Sequence, residues 1–255
     1  MNELRITDFP RLDYAATEAI NTLCTNLSFV DADVKRIMIT SCQAAEGKSF
    51  LAMSTMRALA GLKKKVVLVD ADLRRSYIAA QYGLQFTIPE PKGLAHYLAG
   101  RCSMDDILYA TDLPNSWMVP VGRSVSNSLS LLNTNRLPVL LEQLASHFDF
   151  VLVDAPPVGV IIDAAEIAKS CDGTLLAITY NRVSQRELMS AKQQLEKTGC
   201  SIIGAVLNNV EMDSYMNRKY YYKSYYSHYN SSYYRPRKNK KSEKESPTKN
   251  DKRIF

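Results

Sequence analysis

The sequence predicts an α/β fold with a doubly wound, mostly parallel sheet of the P-loop nucleotide-binding type, followed by a disordered C-terminal tail. Three observations carry that expectation. Five short runs, at 36–41, 65–70, 148–156, 173–180 and 201–208, are β-rich and apolar nearly throughout rather than alternating, as strands covered on both faces are. Each of the first four is followed by a stretch able to form a crossover helix. The first run also leads through a Gly-Lys-Ser turn into its helix, the context that a phosphate-binding loop needs.

Ahead of the first strand, Ile20, Leu23, Cys24 and Leu27 recur at helical spacing and predict an amphipathic helix from about Tyr14 to Ser28 that docks on a body or a partner. The first fourteen residues carry charges and a proline but no apolar core, and no window approaches the ~18 apolar residues of a span, so neither export nor membrane crossing is expected. The chain has 255 residues, 46% of them hydrophobic, enough for one sizeable core. The expected organisation is an N-terminal segment and helix at 1–30, an ATP-binding domain at 31–211, a tyrosine cluster at 212–234 and a basic disordered tail at 235–255.

The formal charge of +6 is concentrated at one end. Residues 235–255 hold nine Lys or Arg against three Asp or Glu, and the remainder is balanced at 23 of each. A neutral body argues against a body-wide nucleic-acid surface. Five cysteines, odd in number and never in a CxxC pair, point to a reducing, cytoplasmic compartment.

The loop reads Ser41-Cys42-Gln43-Ala44-Ala45-Glu46-Gly47-Lys48-Ser49. In a Walker A loop Lys48 neutralises phosphate oxygens and the Ser49 hydroxyl ligates Mg²⁺. The amides of Ala45, Glu46, Gly47, Lys48 and Ser49 face the phosphates at the helix N-terminus, and Phe50, next in the chain, is counted with them as nucleotide-binding. The usual first glycine of GxxxxGK[ST] falls at Cys42, so for the loop alone an ordinary strand-to-helix turn is the competing reading. The second run ends in Asp70-Ala71-Asp72-Leu73-Arg74-Arg75 and the third in Asp154-Ala155-Pro156-Pro157. Ligands of open α/β sheets bind at the carboxyl ends of the strands, and carboxylates there can hold Mg²⁺ or accept a proton. A helix N-cap explains any one of these acids, but not three together with a Gly-Lys-Ser loop.

With the loop, VVLVDADLRRS, FDFVLVDAPPVG and nine tyrosines near the C-terminus, the sequence resembles the cytoplasmic kinase component of the bacterial tyrosine kinases that control capsule and exopolysaccharide synthesis. The resemblance spans about residues 16–234. It implies autophosphorylation of clustered tyrosines with ATP and Mg²⁺, together with a membrane-anchored activator of the polysaccharide co-polymerase type that completes the nucleotide site. It assigns phosphates and metal to Lys48 and Ser49, the base toward the tyrosine hydroxyl to Asp70, Mg²⁺ support to Asp72 and Asp154, and the adenine edge to Asn208. Arg74 and Arg75 are candidates for steadying phosphate charge, or else ordinary surface arginines. Two segments depart from the family. Its Glu-x-x-Arg-x-x-Arg helix, through which rings assemble, reads Glu18, Asn21 and Cys24 here, and its Pro-Pro-Asn-Pro-x-Glu-Leu-Leu segment reads Val125 to Leu132 without prolines or acid. Homo-oligomerisation through the usual ring is therefore not assumed.

Nine of the fifteen tyrosines fall between Tyr215 and Tyr234: Tyr215, Tyr220, Tyr221, Tyr222, Tyr225, Tyr226, Tyr229, Tyr233 and Tyr234. The favoured reading is a substrate tail presented in trans to a second copy. A single-stranded nucleic-acid surface and adhesion to anionic lipid compete with it; no nucleic acid is expected. Two other classes remain open: a partitioning-type positioning ATPase, which would carry a lysine where Gln43 stands, and a nucleotide-binding regulator without kinase activity.

Overall fold

A computed structural model describes residues 2–210; the nine tail tyrosines and the basic run after them lie outside the described residues. In chain order the elements are β1 (Asn2–Ile6), α1 (Tyr14–Leu27), β2 (Arg36–Ser41), α2 (Lys48–Gly61), β3 (Val66–Asp70), α3 (Ile78–Gln81) and β4 (Leu84–Phe86). They continue with α4 (Leu94–Leu98), β5 (Tyr109–Thr111), β6 (Ser116–Val119), α5 (Ser128–Leu132), α6 (Arg136–His147), β7 (Phe150–Asp154), α7 (Asp163–Ala168), β8 (Gly173–Thr179), α8 (Gln185–Glu196) and β9 (Ser201–Asn208).

One nine-stranded sheet runs β4-β1-β5-β6-β3-β7-β2-β8-β9. From β6 to β9 all neighbours are parallel, and the antiparallel pairs are β1 with β4 and β5 with β6. All five strands expected from the apolar runs are present. The period of two along them sends side chains alternately into two cores. Ile37, Ile39, Leu68 and Leu152 face α1 and α2 on one side, while Met38, Val67, Val69, Val151 and Val153 face α4, α6, α7 and α8 on the other. That two-sided burial is why those runs lack polar alternation. Four strands, β1, β4, β5 and β6, were not expected.

Helix α1 spans the predicted residues. Asp13 caps it by accepting from the Ala16 amide at 2.7 Å, and Ile20, Cys24 and Leu27 are its buried face. Cys24 is fully buried, with Sγ toward the Thr55 carbonyl on α2, whereas Glu18 and Asn21 are exposed. Position 24 is therefore a core site and cannot present a side chain to a neighbouring copy. No helix among the described residues is long and apolar enough to cross a membrane.

Candidate active site

The site lies where the sheet changes winding direction. Strand β2 delivers the phosphate loop, its neighbour β7 ends in Asp154, and β3 beyond it ends in Asp70; Asp70 and Asp154 are register partners across that parallel pair. Topology alone thus brings together residues more than a hundred positions apart, at the carboxyl edge where such sheets bind ligands.

Gly47 caps the N-terminus of α2 in a left-handed conformation, φ +85°, which glycine adopts without steric cost. A Cβ there would also come within 2.0 Å of Asn208 Nδ2. Lys48 and Ser49 open the helix. The Lys48 ammonium lies 3.3 Å from Asp72 Oδ2 and 3.9 Å from Asp154 Oδ1, and Ser49 Oγ donates to Asp154 Oδ2 at 2.6 Å. Asp72 also accepts the Arg75 amide at 3.0 Å, and Ser76 donates its hydroxyl to Asp70. Phe50 is half-buried on the first turn of α2, and Ala45 is exposed.

Three carboxylates face one ammonium, and all three are buried. Burial, with the Asp154 and Asp72 charges added, pushes Asp70 up to about 8 against the pull of Ser76 and Lys48. Burial also raises Asp154, opposed by Lys48 and Ser49. For Lys48 burial works to lower the pKa, but Asp154 and Asp72 outweigh it and the net shift is upward. The pocket therefore carries an excess of acceptor oxygen. Asp70 Oδ1 and Asp154 Oδ1 are buried with no hydrogen-bond partner, which a divalent cation and its water shell would satisfy. Among the described residues no three His, Cys, Asp or Glu side chains close on a common point. A hydroxyl and carboxylates without such a cage suit Mg²⁺, which keeps several of its waters.

Other candidate residues have less expected places. Asn208 donates its amide to the Glu46 carbonyl at 3.0 Å, so the side chain expected at a base edge also braces the loop. Glu46 has no exposed surface, and its carboxylate accepts the amides of Gln43 and Thr179. Its side chain therefore faces into the fold. Arg74 differs from expectation: its guanidinium holds Asp163 through two bonds, Nε to Oδ2 at 2.9 Å and Nη2 to Oδ1 at 3.2 Å, and Nε also donates to Ser128 Oγ at 2.7 Å. Asp163 and Ser128 are buried, and the bond to Asp163 keeps the guanidinium pKa raised. Arg74 is thus spent on a structural ion pair, while the neighbouring Arg75 is exposed. Pairs such as Arg74 with Asp163 leave no local pattern in the sequence.

A loop of this form at a strand-to-helix turn, with acids on the two adjacent strand ends, defines a P-loop nucleotide-binding protein. Residues 34–197 match the family described as AAA domain. The chain is 34% identical over 211 residues to the tyrosine-protein kinase CpsD of Streptococcus agalactiae serotype III (strain NEM316), covering 82% of this chain and 90% of that one, and it belongs to this family of bacterial tyrosine-protein kinases. The solved kinase domain of Escherichia coli tyrosine kinase ETK has a TM-score of 0.72 at 30% identity, over 78% of this chain and 77% of that one. The septum site-determining protein MinD of Pyrococcus horikoshii OT3, solved with Mg-ADP, has a TM-score of 0.59 at 25% identity, over 68% of this chain and 69% of that one.

Proposed function

We propose that this kinase uses Mg-ATP to phosphorylate the tyrosine cluster between Tyr215 and Tyr234, in trans on a second copy, in the control of capsule or exopolysaccharide synthesis. We further propose that it works in the cytoplasm, recruited to the inner face of the membrane by an anchored activator. The observation that carries the reading is the Lys48 ammonium set between Asp72 and Asp154, with Ser49 bonded to Asp154.

Bound Mg-ATP would supply the transferable phosphoryl group, and its Mg²⁺ the positive charge that the carboxylates face. In this reading Lys48 and the amides of Ala45 to Ser49 hold phosphate oxygens, while Ser49, Asp72 and Asp154 hold the metal directly or through water. Phe50 and Asn208 flank the nucleotide. Asp70 takes the phenolic proton. Only the ionised carboxylate can accept it. A group raised to about 8 in the nucleotide-free chain is, once ionised, a stronger base than an ordinary aspartate and better matched to a phenol of pKa about 10, and Mg²⁺ bound beside it would favour that ionised form.

The same family membership weighs against a positioning ATPase, as does Gln43 at the lysine position. The test is an anti-phosphotyrosine blot of the full chain co-expressed with its activator. Lys48→Ala, and the pair Asp70→Ala with Asp72→Ala, are expected to abolish the signal. Undiminished signal in those variants would sink the proposal.

A further inference from the structure

We propose that Glu46 is a positioning residue that shapes the phosphate loop, its buried carboxylate doing for Ala45 what a glycine would otherwise do. The inference rests on the reading that this loop holds nucleotide phosphate.

Within the loop, Cys42 stands at the first glycine position and only Gly47 remains. Two residues nonetheless adopt left-handed backbone, Ala45 at φ +61° and Gly47 at φ +85°. Left-handed residues set among right-handed ones turn successive amides toward one side, which is the geometry of an anion nest. Glycine enters that region freely, whereas Cβ of an L residue crowds the backbone there. Ala45 therefore needs an outside constraint.

Glu46, between the two, supplies it. Its Oε2 accepts the Gln43 amide at 2.6 Å, its Oε1 accepts the Thr179 amide at the end of β8 at 3.1 Å, and its carbonyl accepts Asn208 Nδ2 from β9 at 3.0 Å. Gln43, pinned by its amide, is also tied by its side chain to Glu187, which caps α8 together with Ser184. The carboxylate is fully buried, and no Lys, Arg or His among the described residues pairs with it. An anion buried under a phosphate site opposes phosphate by its charge, so its benefit has to be geometric. It consumes the Gln43 amide inside the fold and fixes the turn that leaves the later amides facing out.

The test is binding of Mg-ATP to the full chain, read by calorimetry, beside hydrogen exchange of the loop amides. Glu46→Gln keeps the shape but sets an NH₂ group against one of the two amides. It is expected to weaken Mg-ATP binding about tenfold, equivalent to about 1.4 kcal/mol, and to speed exchange at Gln43 and Thr179. Adding Ala45→Gly to Glu46→Gln is expected to recover most of the lost affinity, because glycine holds the left-handed conformation unaided; a merely structural carboxylate would show no such rescue. Wild-type affinity in Glu46→Gln, or a loss that Ala45→Gly leaves unchanged, overturns the inference. Should Glu46→Gln fail to fold, exchange in the wild-type chain decides: protected Gln43 and Thr179 amides support the staple and unprotected ones overturn it. A wild-type chain that binds no Mg-ATP would instead defeat the nucleotide reading, and the exchange measurement would still judge Glu46.

Discussion

Asp70 shows how far a strand end can move a side chain from its behaviour in water. An aspartate in an unfolded chain loses its proton near pH 3.9, whereas burial beside Asp154 keeps this one protonated up to about 8. Between those values the folded chain binds the proton and the unfolded chain does not, so the contribution of Asp70 to stability falls as pH rises. Asp70→Asn, neutral throughout, is therefore expected to stabilise the nucleotide-free chain more at pH 8 than at pH 4. The difference is bounded at about 1.4 kcal/mol for each pH unit of the window. Thermal melts of both chains across that range measure it, and a constant offset between them would contradict the assignment.

The loop after β3 depends on parts of the chain far from it in sequence. Arg74 ties it to the start of α7 through Asp163 and to the start of α5 through Ser128, and the Leu73 carbonyl accepts the Val125 amide at 2.9 Å. Asp163 has a side chain only 2% exposed, while that of Arg74 is 37% exposed. Arg74→Ala strands the buried carboxylate and should cost about 2–3 kcal/mol, less than a fully buried pair because solvent screens the arginine. Urea unfolding reads that loss, and a change below about 0.5 kcal/mol, the size of an ordinary surface substitution, would contradict the brace.

What was legible at the level of elements follows the same physics. Strands β2, β3, β7, β8 and β9 stood out because burial on both faces forbids polar residues over several positions. Strands β4 and β5 have three residues each and β6 has four, too short for a period to register. Strand β1 alternates Leu4 and Ile6 inward with charged Glu3 and Arg5, so its charges mask a period of only two apolar positions. Lys48, Asp70, Asp72 and Asp154 are legible because each lies at or shortly past the carboxyl end of a recognisable strand. The buried carboxylate of Glu46 and the partnership of Arg74 with Asp163 were not, since both are set by residues distant in sequence.

Across the molecule, the candidate nucleotide site and the two apolar cores lie within residues 2–210, and the tyrosine cluster lies after them in the sequence. A chain ending at Val210 is expected to keep its fold and its affinity for Mg-ATP while losing autophosphorylation. Strong phosphotyrosine on that shortened chain, measured by the same blot, would place the acceptors in the body instead.

The central claim, that this site transfers phosphate to the chain's own clustered tyrosines, is tested most directly by mass spectrometry of the full chain. The chain is incubated with ATP and Mg²⁺ in the presence of its activator, beside the Lys48→Ala variant treated identically. The expected result is phosphate on tyrosines between Tyr215 and Tyr234 in the wild-type chain and none in the variant. An unmodified wild-type cluster, or equal phosphorylation of the two chains, would contradict the claim.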